Sequence, residues 1–166
     1  MVLGTLAMMS ILATPPALPA RYLALGDSYT IGESVPAAAR WPTRLAELLR
    51  ADGVAIANPE IIARTGWTTD ELSAALDAVE HSEQVAMADG EFAPKPAPPY
   101  ALVSLLIGVN NQYRGRSVDE YRRELRVLIE RAVGYAGGLS IEHEPFLHDP
   151  GEDCRESLAR VKAWLG

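Results

Sequence analysis

Between residues 21 and 138, short apolar runs alternate with longer segments whose apolar side chains recur at helical spacing. The run at residues 100–107 is the most strand-like, because its aliphatic side chains continue almost without interruption. Such runs are typical of strands that are covered on both faces, as in parallel sheets. Strands that alternate with amphipathic helices predict an α/β fold, here three α/β/α layers around a parallel sheet.

Capping and turn residues set the expected element boundaries. The capping boxes Thr68-x-x-Glu71 and Ser117-x-x-Glu120 each predict the start of a helix, and Gly137-Gly138 is expected to end the second of these helices. A further helix is expected over residues 40–51. Strands are expected at residues 21–25, at 54–64 in the two pieces 54–57 and 61–63, and at 100–107. A fourth strand is expected to start at residues 139–141.

Composition narrows the possible functions. A chain of 166 residues with 48% apolar and 22% charged residues suits one folded domain. The net charge of -7 would repel phosphate backbones, so we expect no nucleic-acid partner. Cys154 is the single cysteine, so no internal disulfide can form, and we interpret it as a bystander.

Three short motifs follow three of the predicted strands. They begin with Gly26-Asp27-Ser28, with Arg64-Thr65-Gly66 and with Gly108-Val109-Asn110. The carboxyl ends of parallel strands meet at one edge of the sheet, so we expect the motifs to converge there. Each motif alone could be turn or capping chemistry, since Gly, Asp, Ser and Asn favour turns. Together they predict a site for acyl transfer.

The residue types in these motifs suit attack on a carbonyl group. Ser28 would lie in a turn that enters a helix, with its hydroxyl exposed. Gly66 has no side chain, so its N–H can approach a substrate closely. Asn110 supplies an amide donor, and one donor to an oxyanion is worth ~10²–10³ in rate.

The first motif, in its context from Tyr22 to Glu33, resembles the first conserved block of the SGNH/GDSL serine ester hydrolases. Gly66 and Gly108-x-Asn110 match the second and third blocks, so the resemblance covers about residues 21–138. It implies a flavodoxin-like SGNH hydrolase fold, a Ser28 nucleophile, and an oxyanion hole formed by the Ser28 N–H, the Gly66 N–H and the Asn110 side chain. It also implies a small-molecule ester substrate and neither metal nor cofactor.

We expect four further residues at substrate-binding positions. Trp67 and Tyr113 flank the motifs and could line a pocket, although packing near the sheet edge explains them as well. Asp27 and Asn111 are the remaining two. Asn111 is a departure, because the third block of the family usually ends in Asp. The oxyanion donor Asn110 is retained.

The general base is the larger departure. The resemblance implies an Asp-x-x-His near the C-terminus, but the residue three before each histidine is not Asp. His148 is the first candidate and His143 the second, whereas His81 is expected to be a solvated surface residue. We therefore keep two hypotheses: an ester hydrolase with a relocated base, and an inactive domain that at most binds ester-like ligands. A nucleotide-binding flavodoxin-like domain is a remote third.

We divide the chain into an N-terminal extension (1–20), a hydrolase core (21–138) and an atypical tail with a short helix (139–166). The extension is apolar like a secretory signal, but it lacks the usual Lys or Arg, so export and an upstream extension both stay open. Its prolines argue against a membrane span. After about residue 138 we expect truncation or an altered reading frame. The oligomeric state is not predicted.

Overall fold

The computed structural model describes residues 18–81, 84–87 and 92–135, and the backbone of 138–140. Four parallel strands form one sheet in the order β2-β1-β3-β4. The strands are β1 (Tyr22–Gly26), β2 (Glu60–Ala63), β3 (Leu102–Leu106) and β4 (Gly138–Ser140). The helices are α1 (Ser28–Ile31), α2 (Trp41–Ala51), α3 (Thr69–Glu80), α4 (Val109–Tyr113) and α5 (Val118–Gly134).

The sheet is covered on both faces, which confirms the predicted three-layer α/β/α fold. Successive residues of β1 point to opposite faces, and all five are buried. Leu23 and Leu25 join a core with residues of α3 and α5, including Leu72 and Leu128. Tyr22 and Ala24 join a second core, whose members include Ala46 and Ile56 and against which Trp41, Leu45 and Leu49 of α2 pack.

A polar cluster ties together the amino ends of three strands. Arg21 donates to Glu60 from both Nε and a terminal nitrogen, at 3.0 and 2.5 Å, and Tyr100 donates to the same carboxylate at 2.7 Å. The Arg21 guanidinium also lies 4.5 Å from the centre of the Tyr100 ring. Burial, with the bond to Glu60, raises the pKa of Tyr100 to about 12. The cluster lies at the edge of the sheet opposite the three motifs.

Both predicted capping boxes lie at helix starts. The Thr68 N–H donates to the Glu71 carboxylate at 2.9 Å at the start of α3. The Ser117 hydroxyl accepts from the Glu120 N–H at 3.2 Å at the start of α5. In both cases a side chain satisfies a backbone donor that has no partner within the helix.

Two predicted boundaries are wrong. Residues 54–57 do not form a strand, and Ile56 makes only an isolated bridge with Ala20. Helix α5 ends at Gly134, before the Gly137-Gly138 pair, and Gly138 begins β4. The earlier end has a tertiary cause, because the Tyr135 carbonyl accepts from the Tyr100 N–H at 3.0 Å and the Tyr135 side chain is buried.

The last residue of β1 must be small. A Cβ at Gly26 would overlap the Thr30 hydroxyl oxygen and the Leu106 carbonyl oxygen. We predict that Gly26→Ala lowers the free energy of unfolding by ~3 kcal/mol, because neither atom is at the end of a long flexible side chain. Urea denaturation would measure this loss.

Gly134→Ala is the matched control, since a Cβ there meets nothing within 4 Å and the residue lies in α5. It should raise the free energy of unfolding by about 0.5 kcal/mol, because alanine is the better helix former. Equal effects from the two substitutions would contradict the packing described at Gly26.

Candidate active site

Strand register brings the three motifs to one edge of the sheet. Gly26 pairs with Ala63 on one side and with Leu106 on the other. The three strands are parallel, so each motif leaves the sheet at the same level and in the same direction. The predicted convergence at the carboxyl edge is confirmed.

Ser28 is the first residue of α1, directly after the turn that leaves β1. Asp27 caps this helix, and its Oδ1 accepts from the Tyr29 N–H at 3.0 Å. Asp27 is only 1% exposed, whereas Ser28 is half-buried and Tyr29 is 62% exposed. The Asp27 carboxyl group is therefore buried directly before Ser28, and Ser28 itself stays partly accessible to solvent.

Gly66 lies in the turn between β2 and α3, at a φ of 83°. L-residues with side chains rarely adopt this conformation, so the backbone path itself requires glycine. The Gly66 carbonyl accepts from the guanidinium of Arg114 at 2.6 Å. The next carbonyl, that of Trp67, accepts from the Asn110 side chain at 2.9 Å.

Asn110 is carried by the short helix α4, which follows β3. Its Nδ2 lies 2.9 Å from the Trp67 carbonyl and 3.4 Å from Asp27 Oδ2. Asn110 thus contacts both of the other motifs. Gly108 precedes α4 at a φ of 131°, and a Cβ there would lie 2.8 Å from the ring of Tyr121. The positive φ favours glycine at this position, and the Tyr121 ring of α5 packs against it.

Asn111 points into the protein. It is 3% exposed, its Oδ1 accepts from the Thr69 N–H at 3.0 Å, and its Nδ2 donates to the Thr69 hydroxyl at 2.7 Å. The Thr69 hydroxyl in turn donates to Glu124 of α5 at 2.5 Å. The amide at position 111 therefore joins α4 to the first turn of α3. A carboxylate could accept from the Thr69 N–H but could not donate to its hydroxyl.

The other expected substrate-binding residues have different surroundings. Trp67 is 8% exposed and belongs to the core that covers the α3 and α5 face of the sheet. Tyr113, at the end of α4, is 88% exposed. Of these two aromatic side chains, only Tyr113 presents a large surface to solvent.

The electrostatics of the site depend on Asp27. Burial raises the pKa of the Asp27 carboxyl above its usual range, while hydrogen bonds from the Tyr29 N–H and from its own N–H act in the opposite direction. The described residues include no cation that bonds this carboxylate; its neighbours there are N–H donors. A buried carboxylate without an ion-pair partner costs free energy when it is charged.

The expected general bases His143 and His148 lie outside the described residues, as does Cys154. His81 is exposed at the C-terminal end of α3, where its Nδ1 lies 2.7 Å from the Asp77 carbonyl oxygen. Since α3 begins beside the motifs, its twelve residues place His81 ~18 Å further along the helix axis. His81 cannot serve Ser28 as a base from there.

The described residues include neither a candidate metal-ion cluster nor a membrane-spanning helix. Within residues 18–81, 84–87 and 92–135, no three His, Cys, Asp or Glu side chains are grouped so that they could hold a metal ion. Over the same part of the chain, no helix is both long and apolar enough to cross a membrane.

A parallel three-layer α/β fold with these loops at its carboxyl edge is the architecture expected of an SGNH-type hydrolase. The family model described as GDSL-like Lipase/Acylhydrolase family matches residues 24–165. The chain belongs to this family, and its membership supports a hydrolase of ester bonds. Among the curated proteins, none matches the chain.

Solved structures of similar fold include TesA, which is 20% identical, with a TM-score of 0.57 over 87% of this chain and 72% of that chain. The psychrotrophic esterase EstA from Pseudoalteromonas sp. is 16% identical, with a TM-score of 0.56 over 86% of this chain and 72% of that one. AlinE4, an SGNH-hydrolase family esterase, is 20% identical, with a TM-score of 0.55 over 91% and 72% of the two chains.

One contact at the site was not predicted from the sequence, namely that of Arg114 with the Gly66 carbonyl. The sequence feature that could have indicated this contact is the spacing of Asn110 and Arg114. Residues four apart lie on the same face of a helix, so Arg114 would face the same loop as Asn110. The sequence predicts no helix over residues 109–113, so the four-residue spacing does not by itself indicate this contact.

Asp27 makes stability depend on pH. Its pKa is raised in the folded protein, so the cost of burying its charge is absent below the unfolded pKa and complete above the folded pKa. Asn caps helices as well as Asp does. We therefore predict that Asp27→Asn gains in free energy of unfolding relative to the native chain as pH rises from about 3 to 7.

Urea titrations at several pH values would measure this difference. Asp52→Asn is a suitable control, because Asp52 is exposed beyond the end of α2. A difference between Asp27→Asn and the native chain that stayed constant across the pH range would contradict a raised pKa of the buried Asp27 carboxyl.

Proposed function

We propose that the protein hydrolyses esters of small molecules with Ser28 as its nucleophile. The Ser28 hydroxyl attacks the acyl carbonyl, the alcohol leaves, and water then releases the acid from the acyl-enzyme. The main support is the register of β1, β2 and β3, which brings Ser28, Gly66 and Asn110 out of the sheet side by side. Carboxylic esters, thioesters and acetyl groups are the bonds within this proposal.

Three donors would stabilise the oxyanion: the Ser28 N–H, the Gly66 N–H and the Asn110 side-chain amide. One hydrogen of Asn110 Nδ2 is held by the Trp67 carbonyl at 2.9 Å. The other faces Asp27 Oδ2 at 3.4 Å, beyond the usual range for a good hydrogen bond. A developing oxyanion can replace this weak contact, so the same amide is both anchored and available.

In this proposal Asp27 and Asn111 support the site through hydrogen bonds, whereas the sequence predicts substrate-binding positions for both. Each is almost fully buried, and each bonds a backbone N–H that begins a helix: Tyr29 in α1 and Thr69 in α3. Tyr113 remains a candidate for substrate contact because it is exposed at the end of α4. Trp67 contributes through its carbonyl, which anchors Asn110.

The proton from Ser28 needs an acceptor, and we propose His148, with His143 as the second candidate. Both lie beyond the described residues. An inactive domain is the competing hypothesis, and the absence of Asp three residues before any histidine favours it. Loss of a nucleophile or a base costs ~10⁶ in turnover in a comparable triad, and ~10³–10⁴ over water remains.

Hydrolysis of p-nitrophenyl acetate by the purified chain tests this proposal. We predict that Ser28→Ala lowers kcat by ~10³-fold or more, because the substitution removes the hydroxyl that we propose as the nucleophile. The double substitution His143→Ala/His148→Ala should cause a comparable loss. His81→Ala is the matched control and should leave kcat within about twofold, since His81 is exposed at the far end of α3.

Background turnover by the native chain, equal to that of Ser28→Ala, would support the inactive domain instead. Turnover that survives the double histidine substitution but not Ser28→Ala would keep the nucleophile and reject both proposed bases.

A further inference from the structure

Arg114 lies directly after α4, and its guanidinium makes two contacts with the loop that carries Gly66. One terminal nitrogen donates to the Gly66 carbonyl at 2.6 Å, and the other donates to Glu71 Oε1 at 3.1 Å. The Glu71 Oε2 atom accepts from the Thr68 N–H at 2.9 Å. The guanidinium and this carboxylate thus close a ring of hydrogen bonds over residues 66–71.

This ring acts on the residue with the greatest conformational freedom in the site. Gly66 has no Cβ, so sterics alone restrict its backbone dihedrals little. A hydrogen bond on its carbonyl restrains ψ, and with it the direction of the N–H relative to the next peptide. The loop loses this conformational entropy during folding, so the binding of a substrate does not have to remove it again.

Helix α4 and the residue that follows it restrain two oxyanion donors: the Asn110 side-chain amide directly, and the Gly66 N–H through Arg114. Asn110 and Arg114 are four residues apart, and the Arg114 N–H donates to the Asn110 carbonyl at 2.9 Å. Their side chains bond consecutive carbonyls, those of Trp67 and Gly66. A shift of α4 would therefore move the Asn110 amide and the Gly66 loop together.

Glu71 keeps the guanidinium in place. Burial acts to raise the pKa of the Glu71 carboxyl, but hydrogen bonds from the Thr68 N–H and from Arg114 outweigh it and hold the pKa below its usual range. Glu71 is thus ionised at neutral pH and stays a partner for Arg114. Lysine could not replace this arrangement, since it has one compact charge where arginine has a planar fork.

We propose that Arg114 is a positioning residue that fixes the Gly66 N–H for the oxyanion. This inference rests on the proposed function of the same site. It assigns to Arg114 a role in turnover, whereas an exposed ion pair with Glu71 alone would contribute little to stability.

Arg116 provides a matched control from the same loop. It donates to Asp70 in the first turn of α3 at 3.0 Å, and both partners are about as exposed as Arg114 and Glu71. It differs in having no bond to Gly66. Arg114→Gln, Arg114→Lys and Arg116→Gln would be compared with the native chain.

Two measurements distinguish positioning from simple stabilisation. Steady-state kinetics with p-nitrophenyl acetate should give a kcat at least ~10-fold lower for Arg114→Gln, with KM within about twofold, because misplaced donors affect the transition state most. Arg114→Lys should recover little of this loss, and Arg116→Gln should keep kcat within about twofold. NMR relaxation should give a Gly66 N–H order parameter near 0.85 in the native chain and below about 0.6 in Arg114→Gln.

A native-like kcat and order parameter in Arg114→Gln would overturn the proposal, and so would equal losses in Arg114→Gln and Arg116→Gln. If the native chain itself has no turnover, the proposed function fails, but the order parameter still decides whether Arg114 fixes the Gly66 N–H.

Discussion

The alignment of Gly26, Ala63 and Leu106 across three parallel strands is the constraint on which the site depends. A slip of one residue in either pairing would turn every side chain of that strand to the opposite face. The register is held at the amino edge by Arg21, Glu60 and Tyr100, and through its length by the two cores. The loops that begin after those aligned residues leave the sheet in the same direction. Residues of the three motifs, which are distant in sequence, therefore lie close together.

The parts of the fold that the sequence predicts are those with local causes. The continuous apolar run of β3 and the capping residues Thr68 and Ser117 act within a few residues, and their elements form where expected. The order of strands and helices then restricts the topology to a parallel sheet, and the position of the motifs after the strands follows from it. Helix α5 ends early for a non-local reason, the contact of Tyr135 with Tyr100.

The site shows the same division. Ser28, Gly66 and Asn110 could be predicted to lie at the same edge of the sheet because each follows a strand. The direction of each side chain could not be predicted. Asn111 directly follows Asn110 in α4, yet its side chain is buried against Thr69. The contact of Arg114 with Gly66 could not be predicted, because the carbonyl that it bonds lies 48 residues earlier in the chain. Family membership supports ester hydrolysis, and these contacts supply physical reasons why the loops hold their shape.

We propose above all that Ser28 faces a preorganised oxyanion site at the carboxyl edge of the sheet. A fluorophosphonate tests it directly, because a serine hydroxyl displaces fluoride from phosphorus and the phosphoryl oxygen then occupies the place of the oxyanion. Intact-mass spectrometry with peptide mapping should find one adduct, on Ser28, that is lost in Ser28→Ala and forms more slowly in Asn110→Ala. An unlabelled chain, or an adduct on another residue, would contradict the account.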